Sequence, residues 1–356
     1  MPPVNRNFLS YPALIYLLVV ILLLSACTGP QFTQKVSTPT FPTIIESRIL
    51  PTNDAISTTQ NLTDTTIKTP EQINNPSPVG VSTIIPNQTS TIPVNSPTAL
   101  SPNDWMSLPI IPTVSQTARL IYQRGLELGN DPHAFSKIGD CQSISTYFLS
   151  YFDRPGFYNL GDYSSMQPTI DWFAGSFSRD SLAVKGGFNA AAVLSPLRAD
   201  TKQCNPNESP IACEFRLHRP SLVIISLEEW WAGHPENYEA YMRQIIEYSI
   251  QQGVVPIIAT KADNLEGNNL INQTIASLAQ EYDIPLWNFW LAAQPLPNHG
   301  LIAFNSSGEV DMFHLTHSEG YYFYNDPTAM QSGWSVRNLT ALQSVDAVRH
   351  GLSEQP

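Results

Sequence analysis

Proline decides where this chain can fold. Of its 30 prolines, 16 lie in the first 112 residues, and most of these fall among Thr, Ser, Asn and Gln between residues 28 and 112. Proline has no amide donor and a fixed φ, so a segment punctuated this often can neither continue a helix nor enter a sheet. The scattered Ile and Val pairs of the segment are aperiodic, so no face can be buried. Such a composition reads as a disordered, partly extended linker, either a spacer (O-glycosylated or bare) or a featureless tether. It also dilutes the charge. Residues 1–112 hold 4 basic and 5 acidic side chains, which leaves 14 basic and 25 acidic to residues 113–356. The low overall charge of 13% therefore averages two unlike segments, and 11 of the 12 net negative charges belong to the second. An acidic domain lacks the basic footprint of a nucleic-acid binder, and no nucleic-acid partner is expected. What remains after the linker is long enough for one domain, which we expect to be monomeric.

The linker is preceded by an apolar run, YPALIYLLVVILLL over residues 11–24, and then by Ser25, Ala26 and Cys27. The run falls short of the ~20 residues that span a bilayer and ends in small residues, the shape of a secretory signal. Leu24-Ser25-Ala26-Cys27 resembles the bacterial lipoprotein signal, in which the cysteine is lipidated and becomes the mature N-terminus. The other reading is an uncleaved anchor with an incidental cysteine; Arg6 is the only positive charge ahead of the run. Both put the rest of the chain on the extracellular face of a membrane. The expected organisation is a signal peptide over 1–27, a linker over 28–112 and a folded domain over 113–356, with membrane lipid reached through Cys27.

Within the domain, residues 113–128 have the periodicity of an amphipathic helix. Residues 134–138 (AFSKI) are a short apolar stretch ending in Gly139-Asp140-Cys141, and Leu182-Ala183-Val184 leads into Gly186-Gly187. SLVIISL over 221–227 and VVPIIAT over 254–260 are continuous apolar runs, the mark of strands covered on both faces. Helical patterns follow at 236–252 and 270–282, and 284–287 is strand-like. Strands alternating with helices imply βαβ units and a mainly parallel sheet in an α/β domain. In such sheets the site lies beyond the carboxyl ends of the strands.

Cys204 and Cys213 flank a polar, proline-bearing loop (CNPNESPIAC) that a disulfide would close in an oxidising compartment. That is one of three pairings open to Cys141, Cys204 and Cys213, and it leaves Cys141 as a free thiol. G-x-S-x-G, H-E-x-x-H, Walker and G-x-G-x-x-G motifs are all absent from the sequence. The histidines His133, His218, His234, His299 and His350 lack metal-ligand spacing, so neither metal nor cofactor is expected. The chemistry-bearing residues are Gly139-Asp140-Cys141-Gln142-Ser143 at one end of the domain and Asp311-Met312-Phe313-His314 at the other. A carboxylate three residues from a histidine can hold the imidazole in its basic tautomer toward a nucleophile. His317, three residues further on, lacks that spacing. Trp230, Trp231, Trp287 and Trp290 read either as a sugar-binding cleft or, for the last two, as core; Asp263 and Asn264 read as substrate contacts or as a helix cap.

With G-D-C after the first strand and D-x-x-H near the far end, residues 118–350 resemble the SGNH (GDSL-type) hydrolases. That resemblance implies a three-layer α/β/α, flavodoxin-like fold and hydrolysis of an ester, here of an extracellular carbohydrate or lipid. It makes His314 the base, Asp311 its orienter and Cys141 the nucleophile, in place of the family's serine. The oxyanion block falls on Cys141, Gly187 and Asn189. The third block, an asparagine in the family, reads Glu228-Glu229 here, and two acids there oppose a developing negative charge. Ser143 is an alternative hydroxyl. The competing expectation is a domain that keeps the fold without hydrolysis and binds glycans or serves a structural role.

Overall fold

A computed structural model of the chain describes residues 103–227 and 235–353. The residues read as a signal peptide with Cys27 and as a linker, up to residue 102, and Glu228, Glu229, Trp230, Trp231 and His234 lie outside the described residues.

The domain is an α/β sandwich of three layers around an all-parallel four-stranded sheet in the order β1-β2-β3-β4. The strands are β1 (Asp131–Gly139), β2 (Pro220–Ser226), β3 (Val255–Ala259) and β4 (Leu286–Trp287). Every residue of β2 and β3 is buried regardless of which way its side chain points, so both faces are covered. Helix α1 (Gln116–Glu127) is capped by Ser115, whose Oγ accepts from Ala118 N at 3.0 Å. It packs over β2 and β3 beside the C-terminal helix. The remaining helices are α2 (Gln167–Trp172), α3 (Pro210–His218), α4 (Pro235–Gln251), α5 (Leu270–Glu281), α6 (Phe289–Ala293) and α7 (Gly333–Ser353). α4 and α5 pack on each other and on β3, whereas α1, α2 and α6 pack against α7. None of the described helices is long and apolar enough to cross a membrane.

Pro256 sits in β3, where a missing amide would break a ladder. The amides of Ile258 and Thr260 point toward β4, donating to Pro285 O at 3.0 Å and Trp287 O at 3.1 Å. Two residues earlier the nitrogen of Pro256 points the same way, but β4 begins pairing only at Ile258. The proline therefore stands where the ladder has no acceptor to lose.

The outer edge of β1 has a similar economy. A single parallel bridge, Gly139 to Val184, stands where another strand would pair. With it the order becomes that of a flavodoxin sheet, and the reversal of strand order falls at the carboxyl end of β1. Elsewhere along this edge side chains supply the bonds. Phe135 N donates to Ser176 Oγ at 3.2 Å, Arg179 Nη2 donates to Phe135 O at 2.7 Å, and Ser181 Oγ donates to Lys137 O at 2.6 Å. Arg179 is held by the buried Glu214 of α3, at 2.5 Å, and Glu214 also accepts from Ser136 Oγ and Leu182 N. Lys137 is fully buried here, donating to Ser145 Oγ at 2.8 Å and Phe177 O at 2.9 Å. Burial lowers its ammonium to about 7, with Arg179 adding to the effect.

The folded part starts earlier than residue 113. Trp105 is buried and stands edge-on to Trp290 at 4.9 Å, and Asn288 Nδ2 donates to Trp105 O and Leu108 O while Asn288 N donates to Ile110 O. The last stretch of the expected linker, residues 103–112, is thus strapped to the start of α6. α3 was likewise not evident in the polar insertion, yet Ser209 caps it and Pro210 occupies its first turn.

Candidate functional site

Gly139 ends β1 so close to the following turn that no side chain fits. A Cβ there would lie 2.1 Å from Ser143 Oγ and 2.6 Å from Ser226 O. The chain then turns at once into a 3₁₀ turn, Cys141–Ser143, which the Asp140 carboxylate caps by accepting from Gln142 N at 2.9 Å. The cap sets Cys141 partly exposed at the carboxyl end of β1. Ser143 goes the other way: it is buried under the sheet and donates to Ser226 O at 3.4 Å. It is correspondingly ill placed as an alternative hydroxyl.

Asp311 and His314 arrive on an irregular hairpin over residues 300–316. Its backbone pairs Ile302 N with His314 O at 2.8 Å, Met312 N with Ile302 O at 2.8 Å, and Thr316 N with Gly300 O at 2.8 Å. Met312 takes a left-handed φ of 53°, which tightens the turn between the two residues. The Asp311 carboxylate accepts from His314 N at 2.8 Å and Phe313 N at 3.1 Å, and both its oxygens lie 3.0 Å from His314 Nδ1. Burial opposes ionisation of Asp311, but the His314 amide and imidazole, with the Phe313 amide, outweigh it and hold the carboxyl below its ordinary value. An ionised partner at Nδ1 puts the ring proton there and leaves Nε2 as the acceptor. Nε2 faces Cys141 Sγ at 4.0 Å. Gln142 ties the two segments together, its Nε2 donating to Phe313 O at 3.0 Å from a buried position.

Gly186 and Gly187 form the turn after the Val184 bridge, closed by Phe188 N donating to Lys185 O at 3.0 Å. Gly187 has φ 78°, the value demanded at the third position of a type II turn and open to glycine at no cost. A Cβ on Gly186 would lie 4.0 Å from Cys141 Cβ, so this turn stands beside the thiol. Asn189, two residues on, accepts at Oδ1 from Ala192 N at 2.8 Å and caps the next turn. Cys204 and Cys213 are joined in a disulfide, and Cys141 stands outside it as a thiol. Glu208 approaches the two sulfurs, but disulfide sulfur offers no thiolate to a metal.

The remaining sequence candidates separate by burial. Asp263 is buried in a cluster with Lys261 (2.7 Å) and Glu266, and Asn264 Oδ1 accepts from Asn269 N within the loop rather than capping α5. Trp287 is core, stacked on Phe148 at 6.1 Å. His133 stacks on Trp172, His218 faces Glu214, His299 faces Gln294 O, and His350 faces Asp346. The hairpin that carries Asp311 and His314, and the aromatic loop that follows it, are features that periodicity does not signal.

These groups define a flavodoxin-like α/β domain with a thiol, an imidazole and a carboxylate in line at the sheet's switch point. No known family model matches the chain, and no curated protein matches its sequence at a significant level.

Proposed function

We propose that the domain is an SGNH-like extracellular hydrolase that cleaves esters of carbohydrates or lipids. The observation that carries this reading is the alignment of Cys141 Sγ, His314 Nε2 and, through Nδ1, the Asp311 carboxylate. His314 takes the thiol proton at Nε2 while Asp311 holds the proton at Nδ1 and stabilises the imidazolium. The thiolate adds to the ester carbonyl carbon, and the oxyanion so formed is bound by backbone N–H groups of Cys141 and Gly187. Collapse expels the alkoxide, which leaves with the proton from Nε2. Water, deprotonated by the same imidazole, then adds to the thioester and releases the acid and the thiol. The chain would act from the membrane surface, held by a lipid on Cys27.

Hydrolysis of p-nitrophenyl acetate by the full chain tests this reading. We expect His314→Ala to lower the rate by about 10²–10⁴, the usual worth of a positioned base; equal rates in the two proteins sink the hydrolase. A second reading, a glycan-binding domain without hydrolysis, is favoured by Glu228 and Glu229 at the place of the family's oxyanion asparagine. Anchoring is tested separately by palmitate labelling, which a Cys27→Ser chain should lose.

A further inference from the structure

Beyond Cys141 and His314, each of the two segments runs on into one wall of the same cavity. Ten residues after Cys141 come Tyr151 and then Phe157; three residues after His314 come His317, Glu319, Tyr321 and Phe323. The walls are joined by an isolated bridge between Asn159 and residues 322–324, Asn159 N donating to Tyr322 O at 3.0 Å and Tyr324 N to Asn159 O at 2.8 Å. The cavity measures about 610 Å³, within the roughly 300–1,000 Å³ of small-molecule sites.

Its lining is unusual in kind. Not one lining residue is aliphatic. Phe157 and Phe323 are 61% and 41% exposed, where burial would be the default for rings without a task. Tyr151, Tyr321 and His317 stand at tilted angles to one another, Tyr151 to Tyr321 at 5.9 Å and His317 to Tyr321 at 6.5 Å. Burial, and next the neighbouring Tyr151, push the Tyr321 hydroxyl upward, so it stays protonated. An acyl chain is best received by a closed aliphatic sleeve. Open ring faces edged by hydroxyl, imidazole and carboxylate instead match a pyranose, which presents axial C–H groups to a ring face and hydroxyls around its rim.

We infer that the Tyr151–Phe157 and His317–Phe323 walls bind the neutral sugar portion of the substrate, so that the ester cleaved is one on an oligosaccharide. This rests on the hydrolase reading for its link to catalysis, but the binding is separable from it. The test is calorimetric titration of the full chain with xylohexaose, cellohexaose and chitohexaose, and with octanoate as the acyl probe. Saturable binding of at least one oligosaccharide is expected, weakened tenfold or more in Phe157→Ala and in Phe323→Ala. Both side chains are exposed, and unchanged thermal melting of the variants shows that the loss is local. Binding of none of the sugars, equal binding by the variants, or binding of octanoate alone each overturns the inference. A chain that binds sugar but leaves p-nitrophenyl acetate intact overturns the hydrolase and leaves this site standing. A chain that hydrolyses the ester but binds no sugar does the reverse.

Discussion

Replacing Cys141 separates acid–base geometry from nucleophilicity. Cys141→Ala should abolish ester hydrolysis, and Cys141→Ser should retain a measurable fraction, because the base sits where a hydroxyl can also reach it. Iodoacetamide should inactivate the wild-type chain and leave Cys141→Ser untouched; inactivation of both would show that another group is the target. Asp311→Asn should cost about 10⁴ in kcat, the loss seen when a triad carboxylate no longer fixes the tautomer, read from initial rates at saturating substrate. Gly139→Ala tests packing rather than chemistry: with Ser143 Oγ 2.1 Å from the new Cβ, the strand end must shift, and we expect a loss of 1–3 kcal/mol in urea titration, about the cost of an overpacked core. At this scale the residue set is legible in the order of motifs, since a strand-end G-D-C and a D-x-x-H need little else to be placed at one sheet edge. What Ser143 and Asn189 do is not legible. Each is a small polar residue whose role depends on which way a turn directs it, and spacing does not carry that.

Elements differ in how openly they announce themselves. The strands over 221–227 and 254–260 and the helix that follows each are readable because burial on both faces or on one stripe leaves a periodic trace. α7 leaves none: it is buried on most of its circumference, so apolar residues do not gather on one side. Two of its hydroxyls bond back into the helix, Thr340 Oγ1 to Val336 O at 2.7 Å and Ser344 Oγ to Thr340 O at 2.8 Å. Arg337 lies in its second turn, fully buried, donating to Ser226 Oγ at 2.7 Å with its guanidinium over Phe148, Trp287 and Phe289 at 5.0–5.3 Å. Arg337→Lys keeps the charge but loses the planar face that stacks, and should destabilise by about 2 kcal/mol or more in denaturant titration. The β1 lysine makes a prediction of opposite sign. Lys137 titrates near 7 when folded and near 10.5 when unfolded, so the unfolded chain binds more protons between these values. Stability should therefore rise with pH from about 7 toward 10, by at most about 1.4 kcal/mol per pH unit. Above 10 it should fall again, because burial raises the hydroxyls of Tyr321, Tyr322 and Tyr324 while the unfolded tyrosines ionise. Lys137→Met should flatten the rise between pH 7 and 10 and leave the fall above it; melts across pH 6–11 distinguish the two.

For the whole molecule, the acidic α/β domain is legible from composition, but the residue at which it starts is not. Trp105 sits in polar, proline-flanked sequence, and only its packing on Trp290 and the Asn288 bonds show that it belongs to the core. Trp105→Ala should cost about 3–5 kcal/mol, as for other buried tryptophans, and a chain begun after it should melt early. The Cys204–Cys213 crosslink closes a loop of sequence separation 9; removing it should cost about 2–3 kcal/mol on the chain-entropy estimate, read as a shift in urea midpoint between oxidised and reduced protein.

The side chains that occupy the outer edge of β1 also bear on how copies of this protein would meet. An edge strand with open amides is a template for a neighbour's strand, and lipid anchoring would hold many copies side by side in one plane, where such pairing is fastest. Ser176, Arg179 and Ser181 already fill the positions that an incoming strand would need. Copies crowded together would therefore not join their sheets through the edge of β1.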